Sequence, residues 1–274
     1  VNADSENPSQ QQLGNLLEHY QAGRLDDAEK LATSISQEFP KHQFAWKVLG
    51  AVLGATGRKS EAVDANQTAV ALSPQDAEAH NNLAITLQEL GRLEEAEASY
   101  TQAIALKPDF AEAHFNLGIT LTALGRLEEG EASQRQAIVL KPNYVQAHYN
   151  LGVLLQELER LDEAEASYNE AIKLKPNFAD ALLNRWMILF DQKRYETALK
   201  DADLLISKRS KAFDLTTLYA LGRIEEIYKR IETQSNMDSE NLDIAAFAAF
   251  VAKPEKKPTA YNFCPNPIDF IHVS

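Results

Sequence analysis

Three histidines, His80, His114 and His148, recur 34 residues apart (114−80 and 148−114). Histidines repeated in register invite a zinc reading, in which imidazole nitrogens converge to about 2.1 Å from one ion. The interval argues against it. Residues one repeat apart sit on neighbouring copies of one unit, roughly 8–10 Å apart if the units are packed helices. They are expected to pack rather than to ligate. Glu94, Glu95, Glu128 and Glu129 also recur, beside a Gly-Arg-Leu turn, where they suit a helix N-terminus and solubility. There is no GxGxxG, no GxxxxGK[ST] and no cysteine cluster, so no cofactor, metal or catalytic residue is expected. The chain alone is expected to turn over nothing.

Asn82, Asn116, Asn150 and Asn184 repeat at the same interval. Asparagine is a mediocre helix former, because its amide competes for backbone groups. Its side chain offers both donors and an acceptor. A row of such amides can bond the N–H and C=O groups of an extended peptide without reading its side chains. Helical spacing places each asparagine on one face with three neighbours. That face reads Glu78-Asn82-Ile85-Glu89, Glu112-Asn116-Ile119-Ala123, Gln146-Asn150-Val153-Glu157 and Asp180-Asn184-Met187-Asp191. The candidate groove is therefore Asn82, Asn116, Asn150 and Asn184, flanked by Glu78, Glu112, Gln146 and Asp180 and by Ile85, Ile119, Val153 and Met187. Its acidic flanks favour a neutral or basic segment. The alternative is that these amides bond along their own helix or to the neighbouring repeat.

The elements that position these residues repeat as well. The turn residue falls at Gly23, Gly57, Gly91, Gly125, Glu159 and Lys193, and prolines at Pro40, Pro74, Pro108, Pro142 and Pro176, all in steps of 34 (57−23, 74−40). Two markers in one register establish an internal repeat. Each unit reads as two helices. In one, His80, Leu83, Ala84 and Leu87 follow helical spacing. Gly91 supplies a C-terminal stop that accepts φ > 0. A second run carries Ala96, Tyr100, Ala103, Ile104 and Leu106, and Pro108 closes it. Asp109 with Glu112, and Asn143 with Gln146, are expected to open the following helices as capping boxes.

These residues resemble the tetratricopeptide repeat. The unit from Ala77 supplies His80, Leu83, Ala84, Leu87, Ala96, Tyr100, Ala103 and Pro108 at its marker positions. The unit from Ala111 supplies His114, Leu117, Gly118, Leu121, Gly130, Gln134, Ala137 and Pro142, and that from Val145 His148, Leu151, Gly152, Leu155, Ala164, Tyr168, Ala171 and Pro176. The resemblance implies an all-α, right-handed superhelical solenoid of helical hairpins, with the asparagine face on its inner, concave side. Units are expected at 9–42, 43–76, 77–110, 111–144, 145–178 and 179–206, after a flexible segment 1–8. The array of O-linked N-acetylglucosamine transferase is similar in carrying an asparagine ladder. The family's clamp for C-terminal carboxylates is not matched. Lys47 and Asn82 fit it, but Ala51, Glu112 and Asn116 do not.

Beyond residue 206 the register breaks. The next turn is due at residue 227 (193+34), yet Gly222 stands five residues earlier. Residues 207–252 read as a degenerate seventh hairpin and a terminal helix, in which "IAAFAAFVA" is apolar on nearly every side. Residues 253–274 read as a linker and the start of a truncated downstream segment. That tail resembles the joint to an iron- and 2-oxoglutarate-dependent oxygenase domain, but the chain contains no HxD motif.

The 274 residues carry a net charge of −13, which makes nucleic acid a poor partner. A single cysteine, Cys264, and the lack of an apolar run of roughly 20 residues point to the cytoplasm and away from a membrane. Three functions follow as expectations. The first is a protein-interaction scaffold that binds an extended peptide. The second is the substrate-recruiting arm of a larger oxygenase or glycosyltransferase. The third is a self-associating array that pairs through its terminal helix.

Overall fold

The same short turn closes every helix pair. In the computed structural model, which describes residues 7–205, 217–218, 221–223 and 226, Gly91 adopts φ 75. The Gly91 N–H then donates to Gln88 O at 2.9 Å, and the Arg92 N–H to Leu87 O at 2.9 Å. This pair of bonds satisfies the last carbonyls of the first helix and reverses the chain. Glu159 and Lys193 hold the same place with φ 58 and φ 60, a left-handed conformation that costs a residue with a Cβ. The second helix ends where Pro108 offers no N–H and disfavours helix in the residue before it.

Twelve helices result among the described residues: α1 (Gln10–Gln21), α2 (Leu25–Glu38), α3 (Gln43–Ala55), α4 (Lys59–Leu72), α5 (Ala77–Glu89), α6 (Leu93–Leu106), α7 (Ala111–Ala123), α8 (Leu127–Leu140), α9 (Val145–Glu157), α10 (Leu161–Leu174), α11 (Ala179–Asp191) and α12 (Tyr195–Leu204). No strand occurs among them. The fold is an all-α helical repeat. The chain divides into two compact units after Leu158. In the first, each helix packs on the next, and α1, α3, α5, α7 and α9 touch in succession to form one row. In the second, α10 packs on α11 and α11 on α12.

The core follows from pairing a small residue on the first helix with a larger one on the second. A Cβ on Gly50 would stand 2.1 Å from Asn66 Oδ1, and one on Gly118 2.8 Å from Gln134 Nε2. In α5 and α6 the same two places hold Ala84 and Tyr100, both fully buried. In α11 and α12 the sizes are exchanged, with Trp186 on the first helix and Ala202 on the second, again buried. Trp186 Nε1 donates to Thr217 Oγ1 at 2.9 Å, and its ring stacks on Phe190. Each fully buried aliphatic side chain in such a layer, Leu87 or Leu155 for example, stabilises by about 1.5–3 kcal/mol.

The expected capping boxes at Asp109 and Asn143 do not form. The N-caps of α7 and α9 are Phe110 and Tyr144, with no side-chain cap. These helices start one residue later than the sequence pattern suggests, in the same register as α5, whose N-cap Asp76 stands 34 residues before Phe110 (110−76). Each aromatic lies under the ammonium of a preceding lysine. Lys107 Nζ is 4.7 Å from the Phe110 ring centroid, and Lys141 Nζ 4.6 Å from that of Tyr144. A capping box does open α1, between Ser9 and Gln12. Beyond residue 205, Gly222 has φ 69 and the Arg223 N–H donates to Leu218 O, the bond that closes the earlier turns. Most of the expected seventh hairpin, the helix at 239–252 and the tail lie outside the described residues, as do residues 1–6.

Candidate functional site

The histidines are structural. His80 Nε2 lies 3.0 Å from Pro74 O, His114 Nε2 3.1 Å from Pro108 O, and His148 Nε2 2.9 Å from Pro142 O. Trp46 Nε1 donates to Pro40 O in the same way. A ring N–H at this place ties each of α3, α5, α7 and α9 to the proline turn before it. The backbone carbonyl can only accept, so the nitrogen facing it carries the proton. No group of three or more His, Cys, Asp or Glu side chains suited to a metal ion occurs among the described residues.

The asparagines behave differently from one another. Asn82, Asn116 and Asn150, on α5, α7 and α9 of the first unit, are half-buried. Two of their backbone carbonyls also accept from a threonine: Asn82 O from Thr86 Oγ1 at 2.9 Å, and Asn116 O from Thr120 Oγ1 at 3.0 Å. Their side-chain amides bond no other group among the described residues. In the second unit, Asn184 Nδ2 donates to the Tyr168 hydroxyl at 3.2 Å, so this fourth amide is engaged within the fold. The rest of the expected face divides by depth. Ile85, Ile119 and Met187 are half-buried, and Val153 is exposed. Glu78, Glu112, Gln146 and Asp180 are exposed at the helix starts.

Sequence reasoning missed what neutralises two of those acids. Lys47 Nζ reaches Glu78 Oε2 at 2.8 Å and Asp76 Oδ2 at 3.1 Å. Lys141 Nζ reaches Glu112 Oε1 at 2.9 Å and also lies over Tyr144. Asp76 is the centre of its cluster. Its Oδ1 accepts from the Glu78 and Ala79 N–H groups as the N-cap of α5, and its Oδ2 accepts from Gln43 Nε2 at 2.6 Å. Burial pushes the Asp76 carboxyl up, but the bonds from Gln43, Lys47 and Ala79 outweigh it and hold the group below its ordinary value. Lys47, the one residue on the preceding helix that fitted a carboxylate clamp, is thus already engaged.

A second set of ion pairs follows the repeat spacing. Arg58 pairs with Glu29, Arg126 with Glu97 and Arg194 with Glu165, each 29 residues apart (58−29, 126−97, 194−165). Each joins the turn of one unit to the second helix of the unit before. Two of these arginines, with Arg92 and Arg160, also hold a glutamate three residues on: Arg58 with Glu61, Arg92 with Glu95, Arg126 with Glu129 and Arg160 with Glu163. Of the recurring glutamates at the turns, Glu95 and Glu129 are therefore partners of the turn arginines, as well as favourable charges at a helix start.

Comparison with known proteins agrees with the geometry. Family models described as tetratricopeptide repeat match residues 13–77, 65–98, 111–144 and 145–178, and one described as TPR repeat matches residues 86–125. No curated protein matches the sequence. Among solved structures, the chain is similar to PilW, a widely conserved type IV pilus biogenesis factor. The TM-score is 0.66 at 20% identity, over 77% of this chain and 100% of that one. It is similar to Pseudomonas aeruginosa PilF at TM-score 0.60 and 20% identity, over 76% of this chain and 97% of that one. It is similar to YrrB, a tetratricopeptide repeat protein with an unusual peptide-binding site, at TM-score 0.55 and 19% identity, over 68% of this chain and 96% of that one. No described helix is long and apolar enough to cross a membrane. With the helix pairs and the proline turns in one register and family models covering residues 13–178 between them, the chain belongs to the tetratricopeptide repeat family.

Proposed function

We propose that the first unit binds an extended segment of another protein along its row of first helices, without catalysis, and that Asn82, Asn116 and Asn150 hold the segment's backbone. One observation carries this reading. Other half-buried or buried polar side chains of the array are engaged within it: the histidines on proline carbonyls, Tyr100 on Gln88 and Gln134 Nε2 on Phe115 O. These three amides recur in the same register, are half-buried, and bond nothing among the described residues. Ile85, Ile119 and Val153 supply apolar contact beside them. Glu78 and Glu112 are already neutralised by Lys47 and Lys141, which moves the preference from a basic segment toward a neutral one.

Three amides gaining roughly 0.5–1.5 kcal/mol each support only weak binding once association costs are met, so the apolar neighbours carry the balance. The test is capture of an unbiased extended-peptide library by the full chain, against the double variant Asn116→Ala with Asn150→Ala. Loss of capture at unchanged helicity is expected. Equal capture by a folded double variant would overturn the reading.

A further inference from the structure

Resting on the reading that Asn82, Asn116 and Asn150 hold a segment's backbone, we infer that the groove has a second, apolar part over α1 and α3. It takes a large uncharged aliphatic or aromatic side chain at one end of the bound segment. Where α5 has Asn81, Ile85 and Gln88, α1 has Leu13, Leu17 and Tyr20, two repeats earlier (81−13, 85−17 and 88−20 are all 68). Spacings of four and three put these three on one face of the helix. Leu13 is half-buried, while Leu17 is 40% and Tyr20 38% exposed.

The helix between them supplies the space. α3 touches both α1 and α5, and at the same places it has Lys47, Ala51 and Gly54. A Cβ on Gly54 would meet nothing within 4 Å. The short side chains of α3 thus lie between Leu17 and Tyr20 on one neighbour and Ile85 and Gln88 on the other. Lys47 is already paired with Asp76 and Glu78. Where α5 has Glu78 and Glu89, α3 has Phe44 and Ala55, and α1 has Gln10 and Gln21. In a chain of net charge −13 this stretch of the row has no unpaired charge. The asparagine places of α1 and α3 hold Gly14 and Val48 (48−14 and 82−48 are both 34). Amide bonding to a segment's backbone therefore stops at α5, and apolar contact takes over.

The leading face of α1 excludes another occupant. In later units that face meets the unit before: Thr86 Oγ1 on α5 accepts from Asn66 on α4. Its places are buried as Ala45, Leu49 and Val52 on α3 and as Ala79, Leu83 and Thr86 on α5. On α1 the same places are Gln11, Asn15 and Glu18, all exposed. A repeat or a second copy stacked end-on would meet these polar groups, whereas Leu13, Leu17 and Tyr20 stand in register with the amide row. An extended segment advances about 3.3 Å per residue and crosses one unit, roughly 8–10 Å, in about three residues. Its apolar side chain therefore belongs about three residues beyond the part held by Asn82.

The test uses the full chain and capped, fluorescently labelled peptides of Ser, Thr and Gln, about ten residues long so as to reach from α9 to α3. One set is plain, one has a leucine near an end and one has it at the centre. The end leucine is expected to tighten binding on the order of ten-fold over the plain peptide, and the central one much less. The double variant Leu17→Ser with Tyr20→Ser changes exposed residues only and is expected to lose that advantage while binding the plain peptide as before. Ala51→Ile, which copies Ile85, fills the space and is expected to lose it too. An advantage that persists in either folded variant, or that is equal for the central leucine, would overturn the apolar part and leave the amide reading intact. Wild-type dimers in light scattering that the double variant does not form would overturn it in favour of a second copy. Unchanged binding of the plain peptide by Asn116→Ala with Asn150→Ala would overturn the amide reading alone. Binding of none of the three peptides would overturn both.

Discussion

Asn66 Oδ1 lies 2.1 Å from the point at which a Cβ on Gly50 would stand, and Asn66 Cγ lies 2.6 Å from it. Gly50 is in the interior of α3, where alanine would ordinarily gain about 0.5–1 kcal/mol. Here the gain is outweighed. Asn66 cannot swing aside without leaving Thr86 Oγ1 and Asn82 O, and overfilling a packed core costs about 1–3 kcal/mol. Gly50→Ala is expected to be net destabilising by urea unfolding. Gly54→Ala four residues on, where nothing lies within 4 Å, is expected to stabilise.

How much of this was legible beforehand depends on whether a feature repeats. The hairpins, their turns and the buried rows Leu83-Ala84-Leu87 and Ala96-Tyr100-Ala103 were legible, because 34-residue periodicity multiplies a weak local signal. The start of α7 was not, since Asp109 offers a good cap, yet the helix keeps the register in which Asp76 caps α5 and so places Phe110 at its N-cap. The asparagine row was legible as a row. The departure of Asn184 was not, because its bond to Tyr168 depends on how α10 and α11 pack. The pairing of Glu78 with Lys47 was hidden for the same reason, as it joins different helices.

Asp76 gives the junction of α3 and α5 an acid dependence of definite sign. Its folded-state value lies below the ordinary 3.8, so its contribution is complete above 3.8 and is lost as pH falls through the lower folded value. Thermal melts from pH 7 down to 2 should show α1–α5 losing protection on the acid side. Asp76→Asn keeps a capping oxygen for the Glu78 and Ala79 N–H groups but has no charge for Lys47. It should be less stable than wild type at neutral pH, and the gap should narrow as pH falls. A gap that stays constant with pH would show that the Lys47 contact adds nothing.

Lys193 pays for a left-handed turn that glycine makes freely elsewhere in the chain. Its φ of 60 costs a residue with a Cβ about 1–2 kcal/mol, of which glycine's extra unfolded-state freedom returns about 0.5–1 kcal/mol. Lys193→Gly is therefore expected to stabilise the second unit by up to about 1 kcal/mol, seen as a rise in the midpoint of its urea transition. The Lys193 N–H bond to Phe190 O and the Arg194 N–H bond to Leu189 O are main-chain bonds and survive the change. A fall in the midpoint would mean that the lysine side chain makes a contact worth more than the strain.

The four asparagines predict opposite responses to one substitution. Asn116→Ala removes an amide that bonds nothing among the described residues and puts a better helix former in its place, a gain of up to about 0.7 kcal/mol. Asn184→Ala removes the donor to the Tyr168 hydroxyl, at 3.2 Å beside a fully buried ring. Losing that bond costs about 0.5–1.5 kcal/mol and leaves a buried hydroxyl with one partner fewer. Stability should therefore rise slightly for Asn116→Ala and fall for Asn184→Ala, although the two positions are equivalent in the repeat. Peptide capture should respond in the opposite sense, falling for Asn116→Ala and holding for Asn184→Ala whenever the chain remains folded. A loss of stability in both variants, with capture unaltered in both, would identify the whole row as structural.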